Sequence, residues 1–246
     1  MTIPRILHYV WVGGPLPAVQ HEYIATWSAT NPDFEIVCWN EQNIDMSSKI
    51  ITEAYNNKKW AKVADIARLQ AVLKMGGIYF DTDFKVFKPL TPLLSYKCFY
   101  AFQEVNESAD WVCNGVFGAE PGHWFVQEAL DGLYTMKRNP LLPERPTAYG
   151  PKHITRSLRR HGLNRYSADG VYVKDVYIAP TPVFFPFHFT EQFTPQCVRD
   201  ETLAAHFWEK SWEASIPRPI RIAKKIVNTF RPARRDRGAA SASVTE

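Results

Sequence analysis

The sequence predicts an α/β fold in a single catalytic-sized domain, and three observations carry that prediction. Short apolar, β-branched and aromatic runs alternate with segments of helical periodicity from residue 3 onward. The longest helical segment passes through a glycine pair into an apolar strand that ends on two aspartates. No repeat or low-complexity tract interrupts residues 1–215. At 246 residues, 46% hydrophobic and 22% charged, the chain can bury one sizeable core.

Taken in order, Ile3 to Val12 reads as a buried first strand stopped by Gly13-Gly14-Pro15. Ala18 to Thr30 has helical character, with Asn31-Pro32 as its stop. Phe34 to Trp39 is a second strand, and Met46 to Asn56 a second helix. Lys58 to Met75 is the clearest helix, because its Ala, Val, Ile and Leu residues recur at helical spacing and Gly76-Gly77 supplies a C-terminal cap. The strand Gly76–Phe80 follows, then a short strand from Phe84 to Phe87, ended by Pro89. Further strands are expected at Cys98–Phe102, Trp111–Phe117, Val171–Ile178 and around Val183–Phe185. Helices are expected at Gly122–Lys137 and Lys152–His161.

Residues 216–246 differ from the body. They carry eight Lys and Arg against Asp236 and Glu246, a net +6, which leaves the rest of this +4 chain slightly acidic. A nucleic-acid-binding domain would carry its positive charge on the folded body, so the charge pattern argues against such a partner. Between Pro219 and Pro232, Ile220, Ala223, Ile226, Val227 and Phe230 fall on one helical arc, opposite Arg221, Lys224, Lys225 and Arg231. A basic amphipathic helix over 219–231 can lie peripherally on an anionic membrane or pack on its own domain, and both readings stay open. No run reaches the roughly 20 apolar residues of a membrane span. Met1 to Arg5 lacks the design of a secretory signal. Cys38, Cys98, Cys113 and Cys197 are scattered, which fits free thiols and a cytoplasmic location, with the tail allowing contact with the inner membrane face.

Asp81-Thr82-Asp83 carries the chemistry. On an extended strand both carboxylates would point to one face, an arrangement suited to a hard divalent cation, Mn²⁺ or Mg²⁺, and to a phosphate-bearing substrate that arrives with it. Asp65 and Arg68 share a helix face three residues apart, which by itself describes a modest ion pair. Their helix leads directly into the aspartate-bearing strand, so the same pair is placed to border one cleft. There Arg68 would suit phosphate and Asp65 the hydroxyls of a sugar.

The segments Ala64–Leu69 and Gly76–Asp83 resemble the sugar-binding core of glycosyltransferase family 32, which includes bacterial capsule and lipopolysaccharide transferases and yeast mannosyltransferases, and to which the glucosylating clostridial toxins are related. The resemblance extends to Ile3–Gly14, Asn114–Ala119 and His206–Trp212, four motifs in order over residues 3–212. It implies a GT-A-type fold, a mixed central sheet flanked by helices. It also implies a transfer from a nucleotide-diphospho-sugar donor to an acceptor hydroxyl with retention, on a growing glycan or a lipid-linked acceptor in polysaccharide synthesis. Trp11 would stack on the base. Asp65 and Arg68 would hold the sugar and phosphate, Tyr79 would touch ribose or sugar, and Asn114 would meet the transferred sugar. Asp83 would be the principal metal ligand with Asp81 beside it, while Ser211 and Trp212 would close over the pyrophosphate. Ser211, His206 and Glu209 are the candidates for a further metal ligand. His21, His153 and His161 are expected at the surface. Two other readings compete: a metal-dependent phosphohydrolase using water as acceptor, and a non-enzymatic sugar-binding module at a membrane.

Overall fold

In a computed structural model of the chain, residues 2–136 and 149–209 are described. The expected domain limit at 215, the helix over 219–231, Ser211 and Trp212 lie outside these residues.

The chain alternates as its sequence pattern requires. Strand β1 (Ile6–Val10) leads to helix α1 (Ala18–Thr30), β2 (Glu35–Trp39), α2 (Lys49–Asn56) and α3 (Trp60–Met75). Then come β3 (Gly77–Phe80), β4 (Phe84–Val86), β5 (Cys98–Phe102), β6 (Val112–Ala119), α4 (Trp124–Thr135) and α5 (Pro151–Arg160). β7 (Val171–Val173), β8 (Val176–Ala179) and β9 (Ala204–His206) complete the described elements. Seven strands form one sheet in the order β2-β1-β3-β6-β5-β8-β7, and β4 pairs with β9 in a separate antiparallel ribbon. β1 is parallel to β2 and β3, β6 is antiparallel to β3 and β5, and β5 is parallel to β8. The sheet is therefore mixed, and β1, β3 and β5 all end on the side where β6 begins.

Alternation along β3 divides the core. Tyr79 faces an apolar layer built with Val63, Ile66 and Ala67 of α3 and Phe125 and Leu130 of α4. Ile78 and Phe80 face the opposite layer, with Trp27 of α1, Phe84, Phe99 and Phe184. With both faces covered, the central strands read as continuous apolar runs. The cap after α3 needs glycine. Gly76 has φ +66°, and a Cβ there would lie 2.7 Å from both Pro121 Cδ and Pro4 Cδ. Its carbonyl sits 2.7 Å from His8 Nε2, while Trp39 Nε1 donates to His8 Nδ1 at 3.0 Å. Burial pushes His8 down to about 4, so a neutral imidazole ties β1 and β2 to the turn that launches β3.

Several expectations need correction. Val171–Ile178 is not one strand but the hairpin β7–β8, whose turn places Lys174 at φ +56°. Val183–Phe185 is not a strand either. Thr181–Val183 forms a 3₁₀ turn, and the Phe184 and Phe185 side chains are buried. Lys58 does not open α3, because it sits at φ +54° in the link from α2. His153 is buried rather than at the surface, its Nε2 2.8 Å from the Ala129 carbonyl, tying α5 to α4.

Candidate active site

The two aspartates are not held by strand alternation, and that expectation is corrected. β3 ends at Phe80, and Asp81-Thr82-Asp83 form a turn in which the Phe84 amide donates to the Asp81 carbonyl at 3.2 Å. Each carboxylate is then fixed from a different direction. The Asp81 amide donates to the Gly115 carbonyl at 2.7 Å, extending the β3–β6 ladder by one residue. Asp83 is buried, and its carbonyl accepts from the Phe207 amide at 2.8 Å. The partner segment is β9, where His206 pairs opposite Phe84 and stacks on its ring at 4.7 Å. This register sets His206 Nε2 3.0 Å from Asp83 Oδ1. α1 braces the same ribbon from behind, with Trp27 Nε1 donating to the Phe84 carbonyl at 2.7 Å and the Val86 amide donating to Thr26 Oγ1 at 3.0 Å.

Asp81, Asp83 and His206 thus offer ligand atoms that all lie within 4.8 Å of one another. Burial pushes the Asp81 carboxyl up; Arg68 pulls it back and neighbouring Asp83 raises it again. Burial alone would depress His206, but the Asp83 and Asp81 carboxylates together outweigh it and the imidazole is raised. The buried His206 Nδ1 has no hydrogen-bond partner among the described residues. Two crowded carboxylates and an imidazole form a donor set that fits a divalent cation, which would relieve the repulsion between the acids.

A second network backs the first. On α3, Arg68 donates through Nη1 to the Asn114 carbonyl at 2.8 Å and through Nε to the Ala64 carbonyl at 3.1 Å. Its Nη2 lies 3.1 Å from Asp81 Oδ1 and 3.4 Å from Asp65 Oδ1. The fork expected to face a phosphate is turned onto the acids, and the side chain is only 6% exposed. Asn114 Nδ2 donates to Asp65 Oδ1 at 2.8 Å, and with the bond from Arg68 to the Asn114 carbonyl it joins α3 to β6 by polar contacts in an otherwise apolar layer. Burial pushes the Asp65 carboxyl up to about 6, more than Arg68 and Asn114 return. Tyr79 was expected to reach ribose or sugar. It is 1% exposed, its ring lies under the Arg68 guanidinium at 4.7 Å, and its hydroxyl donates to Asp81 Oδ1 at 2.8 Å. Its contact with any ligand runs through Asp81.

Trp11 lies beyond the end of β1, the strand next to β3, and lines a cleft of about 310 Å³ with Tyr9, Leu16, Asn40, Glu41 and Gln42. The cleft is held open from its rim. Trp11 Nε1 donates to the Gly14 carbonyl at 3.0 Å, and the Gly13 amide donates to Glu41 Oε1 at 2.7 Å. Glu209 is exposed, apart from the cluster that His206 completes.

Two glycines matter more than the sequence reading recognised. A Cβ on Gly115 would lie 2.5 Å from Asp81 Oδ2, so the bare backbone leaves room for that carboxylate. A Cβ on Gly150, just before α5, would lie 2.9 Å from Asn114 Oδ1 and 3.2 Å from Asp65 Oδ1. Gly150-Pro151 at a helix start was the available signal for this second approach.

Residues 17–100 match the family model described as a glycosyltransferase sugar-binding region containing DXD motif. Among curated proteins, "Subversion of eukaryotic traffic protein A" of Legionella pneumophila is 22% identical over 53% of this chain and 25% of its own length. "Inositol phosphoceramide mannosyltransferase 1" of Schizosaccharomyces pombe is 26% identical over 53% of this chain and 43% of its own length, and number 3 is 28% identical over 54% and 37%. The chain therefore spans less than half the length of these relatives. The solved structure "PaToxG Glycosyltransferase" superposes with TM-score 0.53 at 16% identity, covering 64% of this chain and 69% of that one. The fold is that of GT-A glycosyltransferases.

Proposed function

We propose that this chain, a homologue of DXD-motif glycosyltransferases, transfers a sugar from a nucleotide-diphospho-sugar donor to an acceptor hydroxyl. The observation that carries the reading is the convergence of Asp81, Asp83 and His206 within 4.8 Å, backed by the Arg68–Asp65–Asn114 network. A bound Mn²⁺ or Mg²⁺ would be held by these three residues and would supply Lewis-acid stabilisation of a departing diphosphate. The imidazole in the set favours Mn²⁺ over Mg²⁺, which prefers oxygen ligands.

The chain's own residues do the rest. The Trp11 cleft takes the nucleotide base, on the neighbouring strand. Arg68 and Tyr79 hold Asp81 in one rotamer, and His206 holds Asp83, so the acids are set before the donor arrives. Asn114 and Asp65 present a fixed polar edge to the transferred sugar. In the transfer the acceptor oxygen bonds to C1 and the bond from C1 to the diphosphate oxygen breaks. The acceptor proton leaves with the released nucleoside diphosphate. Retention rests on the resemblance to family 32, and NMR of the first-formed anomer tests it. A glycan or lipid-linked acceptor fits the same resemblance. Among the described residues no helix is long and apolar enough to cross a membrane.

A panel of nucleotide-sugars with Mn²⁺, scored for nucleoside diphosphate release, tests the proposal. Wild type should turn over at least one donor, and Asp83→Ala should lose that turnover by about 10²–10³-fold while melting as a folded protein. Undiminished turnover in the variant would reject the reading.

A further inference from the structure

A polar pair stands apart from the donor machinery, at the same end of the sheet. β5 is two strands from β3, a lateral offset of about 10 Å, and it ends on the same side as the acidic turn. Just past that end stands Glu104, whose Oε1 lies 3.2 Å from His188 Nε2. The ring is held at its far side by Thr190, whose amide donates to His188 Nδ1 at 3.3 Å and whose Oγ1 lies 2.7 Å from the same nitrogen, which turns Nε2 toward Glu104. The His188 amide in turn donates to Glu191 Oε2 at 2.8 Å, which holds the loop in this form.

Two exposed apolar side chains flank the pair. Phe189 is 51% and Val105 57% exposed. The Phe189 ring sits 4.0 Å from that of His188 and 5.9 Å from Trp208, and the Trp208 ring is 4.3 Å from His206. A row of rings therefore runs from the pair to the cation cluster. Trp208 sits at φ +58°, a conformation uncommon for a bulky residue, and its Nε1 donates to the Phe187 carbonyl at 3.3 Å. A partly exposed hydrogen-bonded pair adds only about 0–1 kcal/mol to stability and gives no reason to leave a phenylalanine in water beside it. A preoriented carboxylate between apolar faces is instead the make-up of a site for a ligand that is apolar on its ring face and polar at its rim.

We propose that Glu104, His188 and Phe189 form the acceptor subsite, and that the acceptor presents a polyhydroxylated ring there. Its C–H face lies on Phe189 and one hydroxyl donates to Glu104, whose other oxygen is fixed by His188. Along the sheet the ligands then follow the strand order, with the base beyond β1, the diphosphate at β3, the transferred sugar at β6 and the acceptor at β5. The inference rests on the sugar-transfer reading, and its test separates the two.

With the donor that the panel identifies and Mn²⁺, acceptor probes are methyl glycosides of glucose, galactose and mannose, myo-inositol, and n-octanol. Mass spectrometry measures how the donor sugar partitions between acceptor product and free sugar. Wild type should glycosylate at least one ring polyol and not octanol. Glu104→Gln and Phe189→Ala should each lower the product-to-hydrolysis ratio by about tenfold, the loss of one hydrogen bond to a charged group or of one stacked face. A merely structural role would slow both outcomes together and leave the ratio unmoved, which would overturn the subsite. Transfer to octanol alone, or to none of the probes despite donor hydrolysis, would also overturn it. Failure of wild type to turn over any nucleotide-sugar would remove the sugar-transfer reading and this inference with it.

Discussion

Replacing Gly115 by alanine is the most economical way to disturb the Asp81–Asp83–His206 cluster without touching its members. The added Cβ would lie 2.5 Å from Asp81 Oδ2, 3.2 Å from Cys113 Sγ and 3.3 Å from Asp81 Cγ. Ordinary non-bonded contact begins near 3.5 Å, so the carboxylate must retreat by about 1 Å. It cannot do so freely, because Oδ1 accepts the Tyr79 hydroxyl at 2.8 Å and faces Arg68 Nη2 at 3.1 Å. Weakening one such charge-assisted contact costs about 1.5–3 kcal/mol. A displacement of this size at a reacting centre lowers turnover by about 10²-fold, equivalent to about 2.7 kcal/mol. The measurement is donor turnover together with Mn²⁺ affinity by calorimetry. Gly115→Ala should lose both while its far-UV circular dichroism matches wild type. Wild-type turnover with unchanged Mn²⁺ affinity would refute the claim that Asp81 is positioned by the bare backbone of β6.

Three more outcomes can be measured. Tyr79→Phe removes the hydroxyl that donates to Asp81 and leaves the ring in the core, so turnover should fall by about tenfold with little change in melting temperature. Asp65, raised by burial from 3.8 to about 6, binds its proton more tightly folded than unfolded. The stability it lends is complete below pH 4 and is lost as pH climbs toward 6, by on the order of 2–3 kcal/mol. Denaturant titrations across that window should therefore show wild type losing stability relative to Asp65→Asn, and parallel curves would contradict it. In sedimentation with anionic vesicles the full chain should pellet and a chain lacking residues 216–246 should not, and equal behaviour of the two would assign the basic segment another role.

Much of the scaffold was readable because its punctuation is local. Helix α1 and strand β5 have the limits the sequence suggested, Ala18–Thr30 and Cys98–Phe102, since prolines, asparagine and a change of period mark their ends. The β7–β8 hairpin was missed because its tip, Lys174-Asp175, carries no glycine or proline, and the left-handed φ of Lys174 leaves no trace in the sequence. Phe184 and Phe185 imitate a strand, since burial just after a 3₁₀ turn gives the same apolar run. His153 was placed at the surface because a lone histidine on a basic helix looks solvated. Its buried contact with Ala129 depends on α4, a separate element. That His206, rather than Glu209, joins the two aspartates was beyond local reasoning as well. The register of β9 against β4 puts His206 opposite Phe84, and that pairing joins residues more than 100 positions apart.

That long-range pairing has a consequence for how the site can form. Asp81 is fixed by α3, β3 and β6, all within residues 60–119, whereas among the described residues Asp83, two residues on, is held by His206 of β9 and the Phe207 amide just after it. Before β9 docks, Asp83 and the already placed Asp81 would face each other with no imidazole between them. The repulsion that raises Asp81 would then oppose closing the turn. Docking of β9 brings His206, the Phe207 amide and the stacked Phe84 face at once, so the acidic turn and the ribbon should order together. His206→Ala therefore removes more than one proposed ligand. It should loosen the acidic turn, seen as faster exchange of the Phe84 amide that closes it, while exchange at Ile78 and Tyr79 in the central sheet stays slow. Equal protection of both segments in the variant would show that the turn holds itself, and that His206 serves the cation alone.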